Sequence, residues 1–242
     1  MSTLRADAES VLHFLSAGAA KGVVMGVAER FQTQAGYRLE GEFGAVGAMR
    51  ERFAQDQECD FLILSQRHID ELSHEGRLDP KETRLLGVVR TGVARRAQDP
   101  DVSVHDADAL MHTLTQAPEI YFPDPHKSTA GIHFARVLAT LGLDRVLAGR
   151  LRPRPNGAAA MREMALVGAR GAIGCTQITE ILYTPGVSLV APLPARFGLA
   201  TVYAAAIPEK PTHNTMAARR FVELLTGTET RTLRIEAGFD EQ

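Results

Sequence analysis

The chain has 242 residues, of which 45% are hydrophobic and 23% charged, with a formal net charge of −2. Such a chain buries a core without disulfide staples, and it lacks the strongly basic stripe that goes with nucleic-acid partners. No apolar run approaches the roughly 20 residues that a membrane-crossing helix needs.

Cys59 and Cys175 form no CxxC pair, and the eight histidines show no H-x3-H spacing. Neither a metal nor another cofactor is therefore expected, and both thiols are expected to be buried and reduced. Met1 to Ser10 is polar and carries both signs of charge. A secretory leader needs a basic start and an apolar stretch of roughly 7–15 residues. The expectation is a cytoplasmic protein, or a periplasmic one if a leader has been removed.

Val11–Leu15 reads as a first strand. Ala20, Val23, Val24, Val27, Ala28 and Phe31 then recur at helical spacing until Gly36. Tyr37, Leu39, Gly41 and Phe43 alternate with polar residues, as a half-buried strand does. A helix follows from about Ala48 to Gln55, then a buried strand at Phe61–Leu64, a brief helix at Ile69–Glu75 and a strand through Leu85–Val93. Beyond a turn or linker at Gln98–Asp101 come a helix at Asp106–Gln116, a strand at Ile120–Phe122 and a helix carrying Phe134, Val137, Leu138 and Leu141. A helix around Ala158–Val167, strands at Ala172–Cys175, Val187–Val190 and Ala200–Ile207, and a last helix through Ala217–Leu225 complete the pattern. Alternating strands and helices predict an α/β protein with parallel sheets and right-handed crossovers.

Four strand-to-helix turns are made of small residues: Ser16–Lys21, Gly44–Gly47, Ser128–Gly131 and Asn156–Ala159. Small side chains let backbone N–H groups approach a ligand, and a helix N-terminus favours negative charge. Four such turns predict an anion cleft. Gly41, Gly44 and Gly47 have GxxGxxG rather than GxGxxG spacing, which argues against a dinucleotide.

Five segments carry a resemblance to a known family. They are Phe14–Ala19, Phe43–Ala48, Cys59–Leu64, Asp124–Ile132 and Gly171–Gly174. In these the chain resembles the molybdate-binding branch of the type II periplasmic binding proteins over nearly its whole length. The resemblance implies two α/β lobes, 1–88 plus 200–242 and 89–199, joined by crossovers near Gly87–Gly92 and Pro192–Ala200, with the ligand between them. Members that hold molybdate use a serine from each of the first two loops and a tyrosine after a later strand. Ala19, Val46 and Gln177 stand at those positions here, while Ala130 retains the backbone donor of the third loop. Each lost partner leaves an unmade hydrogen bond costing about 1–3 kcal/mol when buried. The ligand expected is thus an organic di- or tricarboxylate rather than molybdate.

The expected ligand-binding residues are Ala17, Gly18, Ala19, Ala45, Val46, Gly47, Thr129, Ala130, Asn156, Gly157, Thr176 and Gln177. Lys21, Ser16 and His126 are candidate catalytic groups: a lysine at the head of a helix, a hydroxyl at the first loop and an imidazole beside the third. Tyr183 and Tyr203 read as core or hinge packing. The same resemblance takes in aconitate isomerases, which move a proton across an allylic system, so an isomerase is one expectation. The other is a solute receptor, serving an ABC permease if the protein is exported, or a cytoplasmic ligand sensor.

Overall fold

A computed structural model describes residues 10–210, 212 and 214–240; the polar stretch read before the first strand lies almost wholly outside them. The first half of the chain gives β1 (Ser10–Ala17), α1 (Lys21–Ala35), β2 (Tyr37–Gly44), α2 (Val46–Ala54), β3 (Phe61–Ser65), α3 (Gln66–His74) and the long β4 (Arg84–Arg96). There follow α4 (Ala107–Gln116), β5 (Ile120–Pro123), α5 (Thr129–Thr140), α6 (Leu143–Val146), β6 (Leu151–Arg154), α7 (Gly157–Val167), β7 (Ile173–Gln177), α8 (Ile178–Tyr183) and β8 (Val187–Pro192). The chain returns through β9 (Ala200–Ala206) to α9 (Thr215–Thr226) and α10 (Arg231–Glu236).

The strand order is β2-β1-β3-β9-β4-β7-β5-β6, with β8 also on β4. Outer pairs are parallel, β1 with β2 and β3, and β5 with β6 and β7. The central pairs are antiparallel, which corrects the expectation of purely parallel sheets. β4 pairs with β9 as far as Arg90 and with β7 from Thr91 onward. One strand therefore serves both halves, and the strand that brings the chain back must run against it.

Two apolar cores flank this shared strand. The first joins Phe14, Phe31, Phe61 and Phe221 to residues of β3 and β9; Phe61 and Phe221 lie 4.7 Å apart and Phe31 meets Phe221 edge-on at 5.0 Å. The second is built on Val93, Phe122, Phe134 and Ile173, with a satellite around Tyr121, Met161 and Met164. Helix α1 buries Val23, Val24, Val27 and Phe31 and stops at Gly36, whose φ of 74° gives the left-handed cap. Sequence periodicity missed β6, which contains Pro153 and two arginines. Such a strand is tolerated because it lies at the sheet edge, where a missing N–H breaks no ladder.

Candidate functional site

The carboxyl ends of β1, β2, β5 and β7 converge between the two cores, where ligands bind in open α/β sheets. The cavity between them is nearly closed, with about 10 Å³ open to a water-sized sphere, against the roughly 300–1,000 Å³ of a site for a drug-sized ligand, so a ligand enters only when the lobes part. Ala17, Gly18 and Ala19 line it from the first loop, Ala45 and Val46 from the second, Thr129 and Ala130 from the third, and Asn156, Gly157 and Gln177 from the remainder. A larger hollow, about 470 Å³, lies beside it between α3 and α5 and shares Thr129. The other small-residue turns do not face that hollow.

The helix starts at this cavity differ in how their N–H groups are used. Ala45 and Ala17, at the N-caps of α2 and of the single turn Gly18–Ala20, supply no side-chain acceptor. Ser128 caps α5 by accepting from Gly131 N–H, and Asn156 caps α7 by accepting from Ala159 N–H at 2.8 Å. The α2 start and the first turn thereby carry N–H groups that no side chain caps, the Gly47 N–H excepted because it reaches Lys127 O.

The lobes are shut in this structure. Gly47 N–H donates to Lys127 carbonyl oxygen at 3.0 Å across the gap, and Lys127 Nζ pairs with Glu51 at 2.7 Å. Gly47 thus serves closure rather than the cavity wall. A Cβ there would come within 2.9 Å of Lys127 O, so the close approach needs glycine.

None of the three catalytic candidates lines the cavity, and each is held elsewhere for a physical reason. Ser16 is fully buried and turns back, its Oγ donating to Ala17 O at 3.0 Å. Lys21 lies over the rings of Phe43 and Tyr183, at 5.6 and 5.3 Å from their centroids, satisfied as a cation on two aromatic faces. His126 is exposed in the turn where its N–H donates to Asp124 Oδ1. Tyr183 is 42% exposed, not core. Tyr203 is buried as expected for packing, yet also lines the cavity.

Glu180 is the cavity-lining acid that sequence reading missed. It is 6% exposed and lines the cavity from the first turn of α8. Its Oε2 accepts from Thr176 Oγ1 at 2.6 Å, so Thr176 acts through Glu180. Burial pushes the Glu180 carboxyl above the ordinary carboxylate range; the Thr176 hydroxyl and the backbone N–H groups of Ala158, Gln177 and Gly157 pull it partly back. The α7 start therefore holds the protein's own carboxyl. Among the described residues no lysine, arginine or histidine lines the cavity. Gln177, 3% exposed, donates through Nε2 to Thr201 Oγ1 at 3.3 Å, while its Oε1 has no partner.

Both cysteines are free and buried, which pushes Cys59 up to about 12 and Cys175 upward as well. Neither is a nucleophile. Among the described residues no group of three or more His, Cys, Asp or Glu side chains is placed to hold a metal ion, and no helix is long and apolar enough to cross a membrane.

Two lobes sharing their central strands around a cavity of helix starts define the type II periplasmic-binding-protein fold. The periplasmic molybdate-binding protein of Azotobacter vinelandii superposes with a TM-score of 0.77 at 17% identity, over 95% of this chain and 98% of that one. The sulfate-binding protein of Mycobacterium tuberculosis superposes at 0.73, also 17% identical, over 95% of this chain and 86% of that one. The chain belongs to the bacterial extracellular solute-binding protein family, whose profile matches residues 12–240. An aconitate isomerase from a Pseudomonas species is 26% identical over 231 residues, covering 92% of this chain and 84% of that protein.

Proposed function

We propose that the chain binds a small unsaturated di- or tricarboxylate between its lobes and moves a proton along it, as an isomerase. The observation that carries this reading is Glu180: a buried carboxyl, raised by desolvation, on the wall of a cavity otherwise lined by small side chains and by the uncharged Asn156, Gln177 and Tyr203. A carboxyl group tuned upward is suited to proton transfer near neutral pH. The likeness to an aconitate isomerase supports the same chemistry.

The step needs one base. Glu180 in its carboxylate form removes a proton from the methylene carbon beside one substrate carboxyl group. The electron pair spreads over the three-carbon allylic unit, and the proton returns from Glu180 to the far carbon, so the double bond ends one position along. N–H groups at the starts of α2 and the first turn bear on charge that develops at substrate oxygens. Loss of the family's hydroxyl ligands at Ala19 and Val46 favours an organic ligand over a bare tetrahedral oxyanion.

Proton NMR of the protein with cis- or trans-aconitate in deuterated buffer tests this. Interconversion, or protein-dependent loss of the methylene signal, is expected, and Glu180→Gln abolishes it. Binding without any exchange overturns the isomerase and favours the second reading, supported by the family and by the binding proteins that share the fold. In that reading the chain delivers an organic anion or oxyanion to an ABC permease.

A further inference from the structure

Resting on the reading that this cavity holds an anion, we infer that it takes a polycarboxylate together with one proton, which Glu180 and the ligand carboxyl nearest it share.

Three observations carry this. First, Glu180 is wedged between the lobes. Its Oε1 lies 2.5 Å from where a Cβ on Gly18 would stand, and its Oε2 crowds Gly157 of the other lobe. Shutting the cleft on a ligand therefore removes Glu180 from water. Second, the wall offers no cation to offset two carboxylates brought together; carboxylates in contact share a proton, because two like charges a few ångströms apart cannot both stay ionised. Third, the Gln177 amide spends its N–H on the Thr201 and Tyr203 hydroxyls, and its Oε1 is a buried acceptor with no partner. An acceptor beside a carboxylate oxygen repels a ligand that brings only lone pairs and is satisfied by one that brings O–H.

Around Glu180 the compensation comes from neutral donors alone, the Thr176 hydroxyl and the N–H groups of Ala158, Gln177 and Gly157. From β9 the titratable neighbour is Tyr203, whose own hydroxyl burial pushes far up, keeping it neutral. The starts of α7 and of the first turn present Gly157, Ala158, Gly18 and Ala19, and β8 is Val-Ser-Leu-Val-Ala-Pro, none of them titratable. The facing stretch of β4 presents Thr91 and Gly92. Lys21 of α1 is engaged by Phe43 and Tyr183. The proton comes from buffer and is shared between Glu180 and the ligand carboxyl as one coupled pair.

Calorimetric titration of the protein with tricarballylate, which has no double bond to move, tests the inference without turnover. Titrations run at about pH 8 in two buffers of different ionisation heat. The expected result is uptake of about one proton per ligand, with Kd weakening toward tenfold per pH unit as pH rises. In Glu180→Gln the uptake falls and Kd becomes flat in pH, with circular dichroism confirming the fold; the wild-type buffer dependence decides on its own if that variant fails to fold. Binding with no proton uptake overturns this inference and leaves the anion reading intact. No binding of tricarballylate, either aconitate isomer or sulfate overturns the anion reading itself.

Discussion

Thr176 and Glu180 form a hydrogen-bonded pair across the junction of β7 and α8, the hydroxyl donating to Oε2 at 2.6 Å. Because the donor favours the ionised carboxylate, it lowers the Glu180 pKa against the larger effect of burial. Thr176→Val removes the hydroxyl at nearly constant shape. The carboxyl then titrates at higher pH, since its ionised form has lost a donor. Carbon-13 NMR of glutamate-labelled protein reads the midpoint directly, and an unmoved midpoint would show that the hydroxyl does not act on the carboxyl.

Gly18 and Gly157 hold Glu180 from opposite sides. A methyl group on Gly157 collides with Oε2 and with Thr176 Oγ1, and one on Gly18 meets Oε1. Overpacking of this kind costs about 1–3 kcal/mol. Gly18→Ala and Gly157→Ala are each expected to weaken tricarballylate binding by about 10- to 100-fold. Gly157→Ala is the more severe, since two oxygens must move rather than one carboxyl end. Titration of each variant checks the ranking.

The small-residue loops were legible in the sequence because backbone donors at a helix start demand Gly and Ala whatever the ligand. Most strands and helices were legible from periodicity, since each shows an apolar face to a core, but the short β6 and α8 were not. The direction of β4 and β9 was not: pairing sense depends on where the chain returns, and no local pattern encodes that. Lys21, Ser16 and His126 sat beside the right loops, but a single position at a loop edge does not reveal whether it faces the cleft, solvent or its own backbone. Glu180 did carry a signal, a lone carboxyl inside Ile178-Thr179-Glu180-Ile181-Leu182 directly after a buried strand and four residues beyond Thr176. A charged residue so flanked is buried with a partner or is a site.

Lys21 and His126 provide the contrast. Lys21→Met removes a cation from the faces of Phe43 and Tyr183, where such contacts contribute about 0.5–1 kcal/mol. His126→Ala alters an exposed turn held by the backbone rather than the imidazole. Proton exchange into aconitate and binding of tricarballylate are expected to stay within about twofold of wild type in both, a change below about 0.5 kcal/mol. A large loss in either would return that residue to the site.

Gly47→Ala separates closure from binding. Its Cβ meets the Lys127 carbonyl, which is backbone and cannot swing aside, so the contact is relieved by parting the lobes. Each lobe keeps its own core, and the thermal midpoint is expected to move little. Tricarballylate affinity falls, and small-angle scattering of the ligand-free protein shows a larger radius of gyration than wild type. A compact variant with full affinity would mean that the Gly47–Lys127 contact does not hold the lobes.

Stability should also report on Glu180. Its carboxyl is raised in the folded protein above the ordinary 4.5, because burial penalises the charged form. The folded state therefore binds that proton more tightly than the unfolded chain does. Its stabilising effect is fully present below the unfolded pKa and is lost as pH rises through the folded one. Glu180→Gln removes the ionisable group while keeping its size and an acceptor for Thr176. Near pH 4 to 5 the variant and wild type should unfold alike in urea. Toward about pH 8 the variant becomes the more stable, the gap growing to about 1.4 kcal/mol for each unit by which burial raises the carboxyl. A wild type that outlasts Glu180→Gln at high pH would show the opposite sign: that the hydrogen bonds from Thr176, Ala158, Gln177 and Gly157 outweigh burial and hold Glu180 as a carboxylate.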